Sequence, residues 1–257
     1  MKVWRTRVIA LIIMLLVAYV FLQALPPRGS VERGQIVSYC TGDATGDGTA
    51  ELLAISGRGK LESGERHGQF LLICDASAEN DIASLGYIPP EKIRSRIDLS
   101  SIMPLKVQLG DVNGDGVNEV AICVYKTAEF HPVMAKRPFF FDLVEGNLIP
   151  VWLGSRLSRP FDDYILYDIN ADSVDEIVAI ERLEDDRRVI AVYNWRGFGF
   201  EMLTQSVAFD GDIVFDVQKT EVEGINVFYS SNRELSKLCF RLNGDNLFYS
   251  AINIEEG

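Results

Sequence analysis

An all-β fold assembled from repeated four-stranded units is what the 257-residue sequence predicts, and three observations predict it. First, a short acidic phrase occurs three times, each copy running straight into β-formers. It reads Asp43-Ala-Thr45-Gly-Asp47-Gly-Thr49-Ala-Glu51, then Asp111-Val-Asn113-Gly-Asp115-Gly-Val117-Asn-Glu119, then Asp168-Ile-Asn170-Ala-Asp172-Ser-Val174-Asp-Glu176. Second, an eroded fourth copy starts at Asp216, so the phrases begin 68, 57 and 48 residues apart. Such intervals suit one four-stranded sheet plus a long loop. Third, the segments between phrases are rich in β-branched and aromatic residues and are punctuated by Gly and Asn turns.

The third unit is the cleanest. Strands are predicted at Asp163–Tyr167, before the acidic loop, and at Glu176–Ile180, after it, then at Arg188–Tyr193 and Gly199–Leu203. The second unit repeats the pattern at Leu105–Leu109, Val120–Tyr125, Pro138–Leu143 and Leu148–Leu153. The fourth does so at Asp212–Phe215, Gly224–Tyr229, Lys237–Leu242 and Leu247–Ile252. In the first unit, strands are expected at Gln35–Tyr39, Leu52–Ile55 and Gln69–Ile73. Its last strand is hidden between Ser84 and Met103, where Pro90–Ile97 is expected to hold a helical turn. The units span 35–103, 104–160, 161–208 and 209–254. A four-stranded unit cannot bury both its faces alone, so neighbours must stack. Radial stacking predicts a β-propeller of about four four-stranded blades over 35–257.

Ahead of it, Val8–Leu25 is an 18-residue apolar run broken only by Gln23, with Lys2, Arg5 and Arg7 before it. That length just crosses the ~30 Å hydrocarbon layer as a helix. The basic stub 1–7 predicts a cytoplasmic N-terminus, with the linker 26–34 and the β-domain outside the cell membrane. The alternative is a signal peptide, cleaved to leave a secreted chain. Without the three leading basic residues the chain holds 22 Lys and Arg against 37 Asp and Glu, a balance of −15. Repulsion of that size argues against DNA, RNA or an anionic lipid surface as a partner. Four cysteines (Cys40, Cys74, Cys123, Cys239) allow three disulfide pairings. Each sits in an apolar, strand-like run, so buried free thiols are expected.

The acidic loops carry the chemistry. Oxygen side chains fall at positions 1, 3, 5 and 9, and glycine at position 6 in two of the three copies lets the backbone turn. A hard cation such as calcium takes six to eight oxygens in this manner. The ligand chemistry ranks the second loop first, then the third, where Ser173 replaces glycine, then the first, where Thr45 is the weaker donor. The fourth loop, with Gln218, Thr220 and Glu221 at positions 3, 5 and 6, is expected to hold no ion.

These loops resemble those of FG-GAP repeats, also called VCBS repeats, found in the integrin α-subunit head and in bacterial exported proteins. The resemblance covers residues 35–252 but is sharp only over about a dozen residues per unit. Of the family's Phe-Gly and Gly-Ala-Pro signatures, only Phe198-Gly199 is present. The resemblance implies a propeller with two or three structural calcium ions. It places Asp111, Asn113, Asp115, the Val117 carbonyl and Glu119 around one ion. A second would have Asp168, Asn170, Asp172, Val174 and Glu176, and a third Asp43, Thr45, Asp47, Thr49 and Glu51. It further implies a recognition or adhesion module for a protein or glycan at the cell surface, and no enzyme. The alternatives are a polysaccharide-acting hydrolase or lyase on a propeller scaffold, and an accessory subunit of an envelope complex.

Residues with other chemical potential have plainer expected fates. His67 and His131 have no Ser or Cys nucleophile beside them and are expected at the surface. The pairs Asp162-Asp163 and Asp185-Asp186 would point to opposite faces of a strand. Trp152, Trp195, Phe200 and Tyr229 are expected mostly in the core between units, with the turn around Phe198 the least core-like.

Overall fold

The computed structural model describes residues 35–216, 224–231 and 234–252, all within the unit Gln35–Gly257. The apolar run 8–25, its basic stub, the linker 26–34, and Gln218, Thr220 and Glu221 lie outside the described residues. Among the described residues no helix is long and apolar enough to cross a membrane.

The chain enters along β1 (Gln35–Gly42), turns through the first acidic loop and leaves along β2 (Glu51–Gly57). A ribbon of β3 (Gly59–Lys60) and β4 (Arg66–His67) leads to β5 (Phe70–Asp75). Helix α1 (Ala78–Leu85) then starts with Glu79 and Asp81 in its first turn. It stops at Gly86, whose φ of 73° and N–H bond to the Ile82 carbonyl close the helix. A 3-10 turn at Pro90–Lys92 precedes β6 (Ile93–Asp98). The expected helical turn over Pro90–Ile97 is therefore confined to three residues. Ile93, Ser95 and Ile97 alternate inward against exposed Arg94, Arg96 and Asp98. That period of two, satisfied by pairing with β5, makes the rest a strand.

The second sheet is β7 (Pro104–Gly110), β8 (Glu119–Ala128), β9 (His131–Val144) and β10 (Asn147–Leu153). The third is β11 (Phe161–Tyr167), β12 (Glu176–Arg182), β13 (Arg188–Trp195) and β14 (Phe200–Gln205). The fourth is β15 (Asp212–Phe215), β16 (Ile225–Ser231), β17 (Glu234–Asn243) and β18 (Asn246–Ile252). Each is an antiparallel four-stranded meander, and β3–β4 forms a separate ribbon. The repetition extends below the visible motif: β1, β7 and β11 each carry a bulge against their partner strand near the start of the strand, at Ile36/Ser38, Pro104/Lys106 and Phe161/Asp163.

Stacking explains the composition of the central strands. β2 and β12 are buried almost throughout, because each is covered on both faces. Continuous Leu-Leu-Ala-Ile and Ile-Val-Ala-Ile runs replace half-polar alternation, and each fully buried Leu or Ile contributes roughly 1.5–3 kcal/mol. Leu53, Ile55 and Leu71 of the first sheet pack on Val107, Val120 and Ile122 of the second. The second and third meet through Ala121, Phe140, Tyr164 and Ile177. The third and fourth meet through Ile180, Ile190, Phe215 and Phe240. Trp152 and Phe200 pack in the second of these layers and Tyr229 in the third, whereas Phe198 is exposed at a turn.

The array has unlike ends. The free face of the first sheet (Leu52, Ala54, Leu72, Cys74) is covered by Ala78 and Ile82 of α1, together with Ile88. On the fourth sheet, the face away from the third carries a cross-strand row of Val214, Phe228, Lys237 and Ile252. Val214, Leu235 and Phe248 are exposed there. Among the described residues no apolar cluster joins the fourth sheet to the first. Cys40, Cys74 and Cys123 are free thiols; Cys74, Cys123 and Cys239 are buried and Cys40 half-buried, and burial pushes the Cys74 and Cys123 thiols up to about 12.

Candidate metal centre

β1, β7 and β11 lie side by side and run the same way: Val107 N–H donates to Ser38 Oγ at 3.2 Å while Leu109 lies against Gly42, and Gln108 Nε2 donates to the Tyr164 carbonyl at 3.2 Å while Leu166 lies against Gly110. All three therefore deliver their loops to one end of the unit.

The three loops repeat one hydrogen-bond pattern. The position-1 carboxylates of Asp43 and Asp111 accept the N–H of Gly46 (2.8 Å) and Gly114 (2.7 Å) on one oxygen. On the other they accept Gly48 and Gly116, both at 2.8 Å. Asp168 accepts Asp172 at 3.0 Å and Ser173 at 2.9 Å. Position 5 accepts the N–H of position 7: Thr49 on Asp47 at 2.7 Å, Val117 on Asp115 and Val174 on Asp172 at 2.9 Å. The position-9 glutamate reaches back to the N–H of position 2: Ala44 to Glu51 and Ile169 to Glu176 at 3.2 Å, Val112 to Glu119 at 2.9 Å. Asn113 and Asn170 accept the N–H of position 5 and donate to Glu119 and Glu176; Thr45 shows neither bond.

This winding needs left-handed backbone at positions 4 and 6, with φ of 73° and 84° in the first loop and 77° and 85° in the second, all on glycine. In the third loop Ala171 (61°) and Ser173 (70°) adopt it instead. An L-residue there costs roughly 1–2 kcal/mol.

Burial grades each site from rim to floor. Positions 3 and 5 are exposed and position 1 is half-buried. Glu51, Glu119 and Glu176 are only 4%, 1% and 2% exposed. Loss of solvent raises the Glu119 carboxyl to about 7, with the charges of Asp115 and Asp111 adding to the rise. Glu176 is raised to about 7 in the same manner, with Asp172 and Asp168 adding. Asp43 is held low by the Gly48 N–H.

Basic partners divide the loops. Arg94 of β6 places Nη1 3.6 Å from Glu51, and Lys237 lies 2.6 Å from Asp216, position 1 of the fourth loop. Among the described residues no Lys or Arg pairs with the acids of the second and third loops. Asp142 of β9 adds a further carboxylate near Asp115. Arg94, Lys237 and Asp142 lie far along the chain from the phrases they touch, so no motif announces them.

The loops also touch one another. Asn118 Nδ2 donates to the Asp43 carbonyl and Asp175 N–H to the Asp111 carbonyl, both at 2.7 Å. Val117 crowds Gly46 so closely that a Cβ there would meet it at 2.9 Å; Val174 lies 3.1 Å from the same point on Gly114. Position 7 of one loop thus packs on position 4 of the one before.

The donor set is all oxygen, with ionisable and amide groups and no basic side chain within loops two and three, which fits a hard cation. Among the described residues no three His, Cys, Asp or Glu side chains converge as a ready metal cluster. The position-1 and position-5 carboxylates are turned onto backbone N–H groups instead.

Other reactive residues are engaged elsewhere. Asp162 pairs with Arg188 at 2.9 Å within its own sheet, and Asp163 with Lys106 of the neighbouring sheet, also at 2.9 Å. Asp185 pairs with Arg187 at 2.8 Å and Asp186 with Arg188 at 3.3 Å. His67 and His131 are half-buried rather than at the surface, because Gly68 O and the Arg137 guanidinium hold their rings. Glu181 is fully buried between Arg159 (3.0 Å) and the Tyr193 hydroxyl, which leaves no face for a substrate. No protein-family model matches the chain, and no curated protein matches it.

Proposed function

We propose that this chain is a calcium-stabilised, extracytoplasmic propeller-type module of the FG-GAP/VCBS kind, anchored by residues 8–25 and acting in recognition or adhesion toward a protein or glycan. Loops two and three hold the principal ions, through Asp111, Asn113, Asp115, the Val117 carbonyl and Glu119, and through Asp168, Asn170, Asp172, the Val174 carbonyl and Glu176. Loop one is a weaker site, because Arg94 already supplies a positive charge beside Glu51. Loop four holds none, with Lys237 on Asp216. The observation that carries this reading is the pair of buried glutamates, Glu119 and Glu176, each ringed by acids and, among the described residues, without a basic partner. Burying such a group is costly unless a cation compensates it.

Calcium here is structural. It would tie the turn between the first two strands of each sheet to the neighbouring turn, and extracellular modules bind it at ~10⁻⁴–10⁻³ M. The test is a melting curve of the full chain in detergent, with calcium and with excess EDTA. Ligand bound only by the folded state raises the midpoint; identical curves would remove calcium from the account.

A second reading is favoured by the unlike ends of the array. With α1 over the first sheet and apolar residues exposed on the fourth, the module would serve as a subunit whose fourth sheet seats against a partner in an envelope complex. Light scattering on the native membrane extract would decide: a mass of the monomer plus detergent alone argues against it.

A further inference from the structure

The turn joining β8 to β9 presents Phe130 89%, Val133 56% and Met134 40% exposed. Exposed apolar groups clustered in this way mark an interaction site. The hairpin beneath them is stiff. Arg137 is fully buried, donating from Nε to the Lys126 carbonyl at 2.7 Å and from Nη2 to the carbonyls of His131 (2.9 Å) and Val133 (2.6 Å). A tip held in place by its own backbone loses little freedom when it docks.

Its position follows from strand direction. β8 leaves the acidic-loop end, so the turn projects from the opposite end, where Gln35 begins β1. Nine residues, 26–34, separate the apolar run from Gln35, and they reach at most about 32 Å when extended. Charge favours the same direction. The overall balance of −15 opposes an anionic surface, but the charge is uneven: residues 58–67 and 126–137, joined by the 2.9 Å Lys136–Glu65 pair, hold five Lys and Arg besides the buried Arg137 against three acids. The three acidic loops at the far end hold ten acids and no base. Anionic headgroups attract the first group and repel the second.

We propose that the β8–β9 turn is a membrane-docking wedge, with Phe130, Val133 and Met134 resting in the interface of the bilayer that anchors the chain; this rests on reading residues 8–25 as a retained anchor. The docked end would hold the acidic loops pointing away from the membrane.

The test uses full-length Phe130→Trp in phosphatidylcholine–phosphatidylglycerol vesicles whose acyl chains are brominated near the glycerol. Flotation after an alkaline wash reports the anchor, and tryptophan quenching reports the tip. The expected result is flotation, with quenching at least about twofold stronger than in the wild type, as for an apolar side chain in the headgroup–acyl boundary. Adding Val133→Asp and Met134→Asp should abolish the excess while leaving the melting midpoint unchanged. Flotation without excess quenching overturns the wedge and leaves a protein partner as the use of the tip. Loss of the chain in the wash overturns the anchor reading, and the wedge with it.

Discussion

Asp115→Ala separates a metal ligand from a turn residue. Without metal, the exposed Asp115 carboxylate is placed to accept one bond, from Val117 N–H at 2.9 Å. Such a bond is worth about 0.5–1.5 kcal/mol net, toward the low end in water. In EDTA the variant should therefore melt within about 2–4 °C of the wild type, using the usual ~2–4 °C per kcal/mol for a domain of this size. With 10 mM calcium and a site of ~10⁻⁴ M, binding stabilises the folded state by about 2.7 kcal/mol. The variant forfeits this at loop two, a further loss of roughly 5–10 °C. Calorimetry of the full chain at pH 8, where Glu119 is ionised, reads both quantities. Loop three, intact in the variant, should retain its own calcium shift. An equal drop in calcium and in EDTA would refute the reasoning, because the carboxylate would then act only through Val117.

Three further outcomes follow from the same geometry. Ala171→Gly with Ser173→Gly should stabilise the metal-free protein by about 0.5–1 kcal/mol per site, since left-handed strain of ~1–2 kcal/mol outweighs glycine's entropy cost of ~0.5–1; a lower midpoint in EDTA would contradict the strain. In EDTA, the raised carboxyls of Glu119 and Glu176 make the folded state bind more protons than the unfolded one between about 7 and 4.5, so stability should rise as pH falls through that window and level off below it. In calcium the trend should reverse, because protons and metal compete; a flat or opposite EDTA profile would show that these carboxyls titrate normally. Arg94→Ala removes the positive charge beside Glu51 and should strengthen calcium binding at loop one severalfold, worth about 1 kcal/mol at this partly exposed distance; unchanged or weaker binding, read by calorimetric titration, would mean the guanidinium does not oppose the ion.

The strands of the second, third and fourth units were legible because each combines β-branched or aromatic enrichment with a turn residue at its end, as at Arg188–Tyr193 and Leu247–Ile252. The first unit was harder to read. Helix α1 interrupts the meander, and β6 is built from Ile-Arg-Ser-Arg-Ile-Asp, whose charged outer face masks its period of two. That Thr45 lacks the bonds made by Asn113 and Asn170, and that Ser173 replaces a turn glycine, was legible from positions 3 and 6, yet the left-handed Ala171 carried no signal, because alanine is ordinarily a helix former. Tertiary partners were out of reach. Arg94 on Glu51, Lys237 on Asp216, and the bonds from Asn118 and Asp175 to the preceding loop join positions tens of residues apart. The covering of the first sheet by α1 depends on packing of Ala78 and Ile82, which a repeat pattern does not encode. Glu181 and Arg137 are charged residues whose complete burial rests on long-range packing and on carbonyls of the surrounding backbone.

Equilibrium calcium binding to the full-length chain tests the central claim most directly. Calorimetric titration at pH 8 and ~0.1 M salt should resolve two ions in the ~10⁻⁴–10⁻³ M range and a weaker third, with Asp115→Ala and Asp172→Ala each removing one of the two. No binding up to 10 mM, or binding untouched by both substitutions, would contradict the assignment of these loops as the metal centres.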